Sequence, residues 1–287
     1  MSAANNNSDN KWDIILKPKS KWYKIDLAGV WNYRDLIFLF VRQDFVSQYK
    51  QTILGPLWML IQPMLTVLMF SIIFGNIADI PTGGAPRLIF YLAAFIPWSY
   101  FSDCFNKNAA TFSSNAGIFG KVYFPRLVRP ISVTISSLYR FGVQVGMFLV
   151  YYLIFLINGA LIDPTIFLLF VPVLILMTGL YALTIGLIVS SLTTKYRDLN
   201  FITGVILQLL MYGSSVVFMY SDMPEKFKTY LQWNPLMWIM EAFRYASIGV
   251  GTWSWGGLAY SAVVLLVLLV ISLVTFNKVE KRFMDTI

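Results

Sequence analysis

The sequence predicts an all-α membrane protein with six transmembrane helices. Of its 287 residues, 57% are apolar and only 13% are charged, whereas about a quarter of the residues in a soluble domain are charged. A transmembrane helix needs roughly 20 mostly apolar residues. The second candidate segment is short and contains Pro97, which favours a tilted or kinked helix. The six segments that reach or approach this length are 53–75, 88–105, 131–157, 166–192, 201–220 and 258–276.

The distribution of Lys and Arg predicts that both termini are cytoplasmic. Basic residues are frequent before the first segment, in the second and fourth connectors and in the tail, whereas the first connector contains only Arg87 and the third contains none. Cytoplasmic loops of membrane proteins carry an excess of Lys and Arg. The first 24 residues are polar and lack the pattern of a signal peptide. The N-terminal region extends over residues 1–30. We therefore expect them to be a disordered or loosely ordered cytoplasmic N-terminus, and residues 281–287 to be a cytoplasmic tail.

An amphipathic helix is predicted over residues 31–52, before the first membrane segment. Its polar residues lie mainly away from one apolar face, which is typical of a helix that lies in the membrane interface. A plain interfacial anchor and a role in gating both fit this pattern. The apolar face comprises Ile37, Phe38, Val41, Phe45 and Tyr49.

The fifth connector, residues 221–257, predicts a re-entrant pair of short external helices. Asn234 followed by Pro235 is a helix start, because Asn caps free backbone N–H groups and Pro suits the first turn. Glu241 and Arg244 are three residues apart and can pair on one face. Irregular backbone at membrane depth needs protein or a wet cavity around it. An amphipathic hairpin on the membrane surface is the alternative interpretation.

The composition disfavours an enzyme. The chain contains no His and a single Cys, Cys104, so a Ser/His or Cys/His nucleophile pair is impossible. The segment from Gly117 to Lys121 lacks the spacing of a phosphate-binding loop. Acidic residues are rare within the segments, and Asp103 lies at the end of one, which disfavours a proton-driven carrier. We expect no cofactor and no metal in this chain, and no nucleic-acid partner.

Two stripes of polar and aromatic residues within the segments indicate a lined passage. Ordinary hydrogen bonding between helices explains either stripe alone equally well. Arg140 lies within the third segment, where a charge should face protein or water, and Gly142 and Gly146 follow it in a spacing that permits close helix approach. One stripe consists of Trp58, Gln62 and Thr66, and the other of Gln208, Tyr212, Ser215 and Met219.

Three motifs occur in order along the chain. They are VRQDFVSQYKQTILGPLWMLIQPMLTVLMFSIIFG, then KVYFPRLVRPIS, then YRDLNFITGVILQLLMYGSSVVFM followed by LQWNPLMWIMEAFRYASIG. These motifs resemble those of ABC-2 type permeases that export polysaccharides, in particular the Wzm-type O-antigen permeases, and the resemblance extends over about residues 30–280. One departure is Ser214-Ser215, where relatives often carry Ser-Pro, so the resemblance does not decide whether the fifth segment is kinked.

The resemblance implies a transport subunit without its own ATP site. Residues 53–280 would be the transmembrane domain of a homodimer in the bacterial inner membrane, paired with two cytoplasmic ATPase subunits that hold ATP and Mg. The substrate would be a polysaccharide on undecaprenyl diphosphate. Teichoic acid, capsule polysaccharide, a drug or a small lipid are alternative substrates, and a membrane-bound enzyme or assembly factor is a third class. The amphipathic helix would match the family's gate helix, with Arg42, Tyr49 and Lys50 as its candidate residues.

The same resemblance gives the connector NAGIFGKVYFPRLVRP, residues 115–130, a role in coupling to the ATPase. On charge alone, a loop that only sets topology is favoured. With the resemblance, we expect a helix that docks into a groove of the ATPase, with Pro125 ending the helix and Phe119 and Phe124 anchoring it more strongly than Arg129. The candidate residues are Asn115, Gly117, Phe119, Gly120, Lys121, Phe124, Pro125 and Arg126.

Overall fold

The computed structural model describes most of the chain, and all regular secondary structure in the described part is helical. The expectations for residues 1–26, Lys50 and residues 284–287 lie outside it. The described residues are 27–49, 55–160, 162–194, 196 and 198–283. The α-helices there are α1 Leu27–Asn32, α2 Arg34–Tyr49, α3 Trp58–Phe70, α4 Arg87–Ala109, α5 Thr111–Phe119, α6 Val128–Ile157, α7 Val171–Thr193, α8 Leu199–Gly213, α9 Glu225–Leu231, α10 Pro235–Ile248 and α11 Trp255–Phe283.

Five helical segments of the described residues are long and apolar enough to cross a membrane, so this is a multi-pass membrane protein. The first continues from α3 through a π-helical segment, Ser71–Ile77, and the fourth begins with a 3₁₀ turn, Ile166–Phe170. The five are Trp58–Ile77, Arg87–Ala109, Val128–Ile157, Ile166–Thr193 and Trp255–Glu280.

The segment 201–220, predicted as the fifth membrane span with its kink left undecided, is not one continuous helix. Helix α8 ends at Gly213, and Ser215 has a left-handed backbone with φ of 58°. The 15 residues of α8 extend over about 22 Å at 1.5 Å per residue, less than the roughly 30 Å of a bilayer core. Gly and Ser favour turns over helix interiors. The Ser215 hydroxyl donates to the backbone carbonyl of Phe218 and to the carboxylate of Glu241 in α10. Apolar content alone did not reveal this break.

Helix α4 is the centre of the bundle. It packs against α3, α6, α7 and α10, and most of it is buried inside the protein. Because protein rather than lipid surrounds it, its polar residues find partners. These polar residues lower the apolar content of α4, so the predicted segment, 88–105, is shorter than the observed helix, Arg87–Ala109. Pro97 lies inside this helix.

The N-terminal helices lie along the protein. The predicted helix over 31–52 is interrupted at Tyr33, between α1 and α2, and begins earlier, at Leu27. Helix α2 packs on α6 and buries Ile37 and Phe40. Phe38, assigned to the apolar face, is 66% exposed. The face of α2 that packs on the protein is therefore rotated relative to the predicted apolar face, because α2 packs on α6.

Two short helices occupy the fifth connector. The Asn234 side chain accepts a hydrogen bond from the backbone N–H of Leu236 at 3.0 Å, so Asn234 caps α10 and Pro235 is its first residue. Helix α10 packs against α4, α7 and α11 and is largely buried, whereas α9 has no buried residue. Protein therefore covers most of α10.

Candidate functional site

The connector between α4 and α6 contains a short helix followed by an irregular segment. Helix α5 begins at Thr111 and ends at Phe119, well before Pro125, so the prediction that Pro125 ends this helix is wrong. Gly120 caps the helix with an ordinary right-handed backbone, φ −83°, so its conformation does not require glycine. Gly117 lies within α5, and a side chain there would meet open space.

Phe119 and Phe124 are not exposed anchors. They are 4% and 5% exposed, and their ring centroids lie 5.8 Å apart. Phe124 packs on Phe40 of α2 at 5.8 Å, and Phe119 packs on Phe112 at 6.2 Å. Phe112 in turn stacks on Phe276 of α11 at 4.9 Å. These rings form an internal cluster that joins the connector to α2 and α11, because burial within the chain satisfies them without a partner protein.

The exposed apolar residues of the connector are different ones, which we name the connector tip: Ile118, Val122 and Tyr123, with Lys121 between them. Tyr123 is 79% exposed, and Lys121 is exposed beside it. Exposed apolar residues that form a contiguous patch mark interaction surfaces. The type of side chain alone does not show which aromatic residues of the connector are exposed. The Phe side chains point inward because they pack against helices that are distant in the sequence.

Arg126 also points inward. Its Nη1 donates to the Glu280 carbonyl at 3.1 Å, and its guanidinium lies 5.3 Å from the centre of the Phe119 ring. Burial lowers the pKa of Arg126, and the nearby Glu280 charge opposes this effect. Arg126 thus fastens the connector to α11.

A second network fastens the connector to α2. Arg129 donates to both carboxylate oxygens of Asp44 at 2.9 Å and, through Nε, to the side-chain oxygen of Asn115 at 3.0 Å. Asn115 is buried and also donates to the Thr111 carbonyl at 2.8 Å. A bidentate Arg–carboxylate pair is a strong, directional contact. Arg129 therefore joins Asp44 of α2 to Asn115 of α5.

A polar cavity of about 200 Å³ lies between α3, α4 and α6. Arg140 donates to Asp103 at 3.1 Å and to the side-chain oxygen of Gln62 at 3.1 Å. This places Gln62 and Thr66 from the first predicted stripe beside Arg140 and Asp103. The lining consists of Gln62, Pro63, Thr66, Phe95, Trp98, Ser99, Ser102, Asp103, Asn106 and Arg140.

The second predicted stripe does not join this cavity. Gln208 and Tyr212 are exposed on α8, which packs against α4 and α7, and neither lines the cavity. Trp58 is exposed at the start of α3 and does not line it either. Ser215 lies beyond the end of α8 and is fully buried. The helical spacing that grouped Ser215 with Tyr212 does not apply past Gly213.

Ser215 belongs instead to a buried cluster around Glu241 and Arg244, both 0% exposed. One Glu241 oxygen accepts from Arg244 at 3.2 Å and from the Ser215 hydroxyl, and the other accepts from the Thr252 N–H at 3.0 Å. Arg244 also donates to backbone carbonyls of the segment after α8 and lies 4.4 Å from the Phe90 ring centre. The cluster holds the broken segment, α10 and α4 together.

The candidate gate residues lie toward the end of α2. Arg42 is exposed, and Tyr49 is the last residue of the helix. Asp44 lies between them and pairs with Arg129, and the sequence alone did not indicate this contact. The distribution of charged residues along the chain does not indicate this pair, because Arg129 lies 85 residues from Asp44 in the sequence.

Comparison with known proteins gives a consistent family. The model of the ABC-2 type transporter family matches residues 35–248, which is more than half of the chain. The O-antigen export system permease protein RfbA of Klebsiella pneumoniae is 23% identical over 252 residues, covering 88% of this chain and 94% of that protein. RfbA of Myxococcus xanthus is 25% identical, covering 75% and 81%. The polysialic acid transport protein KpsM of Escherichia coli is 28% identical, covering 86% and 94%.

Proposed function

Because this chain belongs to the ABC-2 type transporter family, we propose that it is the membrane-spanning permease subunit of an ATP-driven polysaccharide exporter. The substrate is a lipid-linked polysaccharide of the O-antigen type on undecaprenyl diphosphate, moved from the cytoplasmic to the outer side of the bacterial inner membrane. The observation that carries the proposal is the match to O-antigen export permeases along 88% of the chain. The polar cavity between three membrane helices supports it, since a polymer rich in hydroxyl groups needs polar partners on its route.

The complex that we propose is a homodimer of this chain with two ATPase subunits on the cytoplasmic side, where both termini lie. The connector tip is the proposed docking surface for the ATPase, because its exposed apolar residues lie on a connector that is fixed to α2 and α11. The helices α9 and α10 form the external re-entrant pair. In this arrangement a push on the connector moves α2 and α11 together.

Capsule polysaccharide is the second candidate substrate. KpsM, a polysialic acid transport protein, is 28% identical to this chain, a higher identity than that of the RfbA relatives. The two candidate substrates share the proposed transport route and the ATPase subunits, and they differ in the glycan.

The deciding experiment is reconstitution. The chain is co-purified with candidate ATPases, placed in liposomes and supplied with lipid-linked O-antigen or capsule glycan. We expect one glycan to stimulate ATP hydrolysis and to become accessible to a lectin on the far side. If neither glycan does so while a small lipid or drug is moved, the export proposal is wrong.

Tyr123→Ala tests the docking surface. We expect glycan-stimulated hydrolysis to fall about tenfold, because buried aromatic residues are frequent hot spots of interfaces, while the unfolding midpoint stays the same. Tyr230→Ala is the matched control, since Tyr230 is 78% exposed on α9. Equal effects of the two changes would remove the connector tip from the interface. Phe119→Ala should instead lower stability, since it opens a cavity in an internal cluster.

A further inference from the structure

The charged cluster beside the membrane cavity carries an excess of positive charge. The Asp103 carboxylate accepts from Lys107 at 2.7 Å, from Arg140 at 3.1 Å and from the Ser137 hydroxyl at 3.0 Å. Two cations therefore share one carboxylate, and the cluster has a formal charge of plus one. Among the described residues that line the cavity, Asp103 is the only acid and Arg140 the only cation.

This excess lies within the membrane helices. Arg140 is 12 residues into α6, about 18 Å along the helix. The side chains of Asp103 and Arg140 are 13% and 23% exposed. A net charge at such depth is unfavourable unless it is paired or hydrated. An anionic ligand that entered the cavity would complete the pairing that the protein itself leaves incomplete.

The remaining lining supplies neutral donors. Gln62 and Asn106 provide amides, and Ser99 and Ser102 provide hydroxyls, all groups that can donate to an oxyanion. Arg140 uses one N–H of each terminal nitrogen for Asp103 and Gln62, so each of these nitrogens has a second N–H. A guanidinium is well suited to phosphate or carboxylate oxygens. The volume of about 200 Å³ is large enough for one such group.

We propose that this cavity is a binding subsite for one anionic group of the transported molecule, with Arg140 as the charged contact and Ser102 and Asn106 as neutral donors. The shared chemistry is an oxyanion, which belongs either to a phosphate of the lipid carrier or to a carboxylate of an acidic sugar. The identity of the transported molecule rests on the proposed function, whereas anion binding by the chain does not.

The test measures binding of inorganic diphosphate and of glucuronate to the purified full chain in nanodiscs, by calorimetry at constant ionic strength. We expect at least one probe to bind, and Arg140→Gln to weaken that binding about tenfold or more. Arg140→Lys should retain part of it. Lys107→Gln is the matched control, because it removes one charge from the same cluster without lining the cavity, and it should weaken binding less than about threefold.

Two further variants keep the test decisive if Arg140→Gln does not fold. Asp103→Asn raises the cluster charge by one and should strengthen binding. Ser102→Phe fills the cavity and leaves the charges in place, and it should abolish binding. Diphosphate binding alone assigns the phosphate source, and glucuronate binding alone assigns the carboxylate source.

Three results would overturn the subsite. One is that the wild-type chain binds neither probe. Another is that Arg140→Gln and Lys107→Gln weaken binding equally, which would indicate a general electrostatic effect of the positive charges and not a direct contact with Arg140. The third is that Ser102→Phe binds normally. A chain that binds anions through Arg140 but exports nothing keeps the subsite and removes the proposed function, whereas export without anion binding does the reverse.

Discussion

Two of the carboxylate–arginine pairs among the described residues, Glu241–Arg244 and Asp103–Arg140, use similar groups in opposite settings. The first is completely buried, and its two formal charges balance each other. The second carries an additional cation, Lys107, and faces a cavity. The Nε of either arginine has no hydrogen-bond partner in the described part of the chain, so the difference lies in charge balance and space. A closed neutral pair holds backbone in place, whereas an open, unbalanced one can still take a ligand.

The largest expected effect is that of Glu241→Ala on stability. Removing one partner of a buried pair leaves an uncompensated charge, with a loss of about 3–5 kcal/mol. It also leaves the N–H groups of Tyr220 and Thr252 without their acceptor. The measurement is equilibrium unfolding in mixed micelles. Glu225→Ala is the control, since Glu225 is 88% exposed in its pair with Lys228, and its loss should be below about 1 kcal/mol. Similar losses would contradict a structural role for the closed pair.

The next effect concerns Gly251, which has φ of 117°, and where a Cβ would come within 2.7 Å of a Glu241 oxygen. Gly251→Ala should lower stability by about 2–3 kcal/mol through backbone strain and displacement of the carboxylate. Gly84→Ala separates the two causes, because Gly84 has φ of 87° with open space around it. If Gly84→Ala lowers the unfolding free energy as much as Gly251→Ala does, the Glu241–Arg244 pair does not depend on Gly251.

Asp103→Asn should be less harmful than Glu241→Ala. It leaves two cations without a carboxylate, but these side chains are partly exposed beside a cavity, so water can hydrate them. We expect a loss of about 1–2 kcal/mol in the same unfolding assay, reduced from that of a fully buried pair. A loss as large as that of Glu241→Ala would mean that the two regions do not differ in kind.

The smallest effect is that of Lys107→Ala. Its pair with Asp103 is an i,i+4 pair on α4 with the Lys side chain 30% exposed, and such pairs contribute about 0.3–0.5 kcal/mol. Because its removal also neutralises the cluster, the net change in unfolding free energy should lie within about 0.5 kcal/mol of zero. A stabilised variant would sharpen the comparison, since it would show that the wild-type cluster holds an unfavourable excess of charge.

The sequence predicted the membrane class, five of the six membrane segments to within about five residues at each end, and the cap at Asn234, because these depend on local composition and spacing. It predicted the pairing of Glu241 with Arg244 for the same reason, since three residues set their distance on a helix. It did not predict the break after Gly213. A serine pair in an apolar run is compatible with helix or turn, and the contacts that favour the turn come from α10.

The sequence by itself determined what each side chain can do, and the tertiary structure decided where it does it. Asp103, Arg140 and Gln62 are visible as unusual polar residues in apolar segments, which identifies them as residues in need of partners. Only the packing of α3, α4 and α6 places them around one cavity. Likewise, the aromatic residues of the connector are equally apolar in the sequence, and packing against α2 and α11 buries Phe119 and Phe124 while Tyr123 stays exposed. The direction in which a side chain points depends on helices distant in sequence, and local pattern does not contain that information.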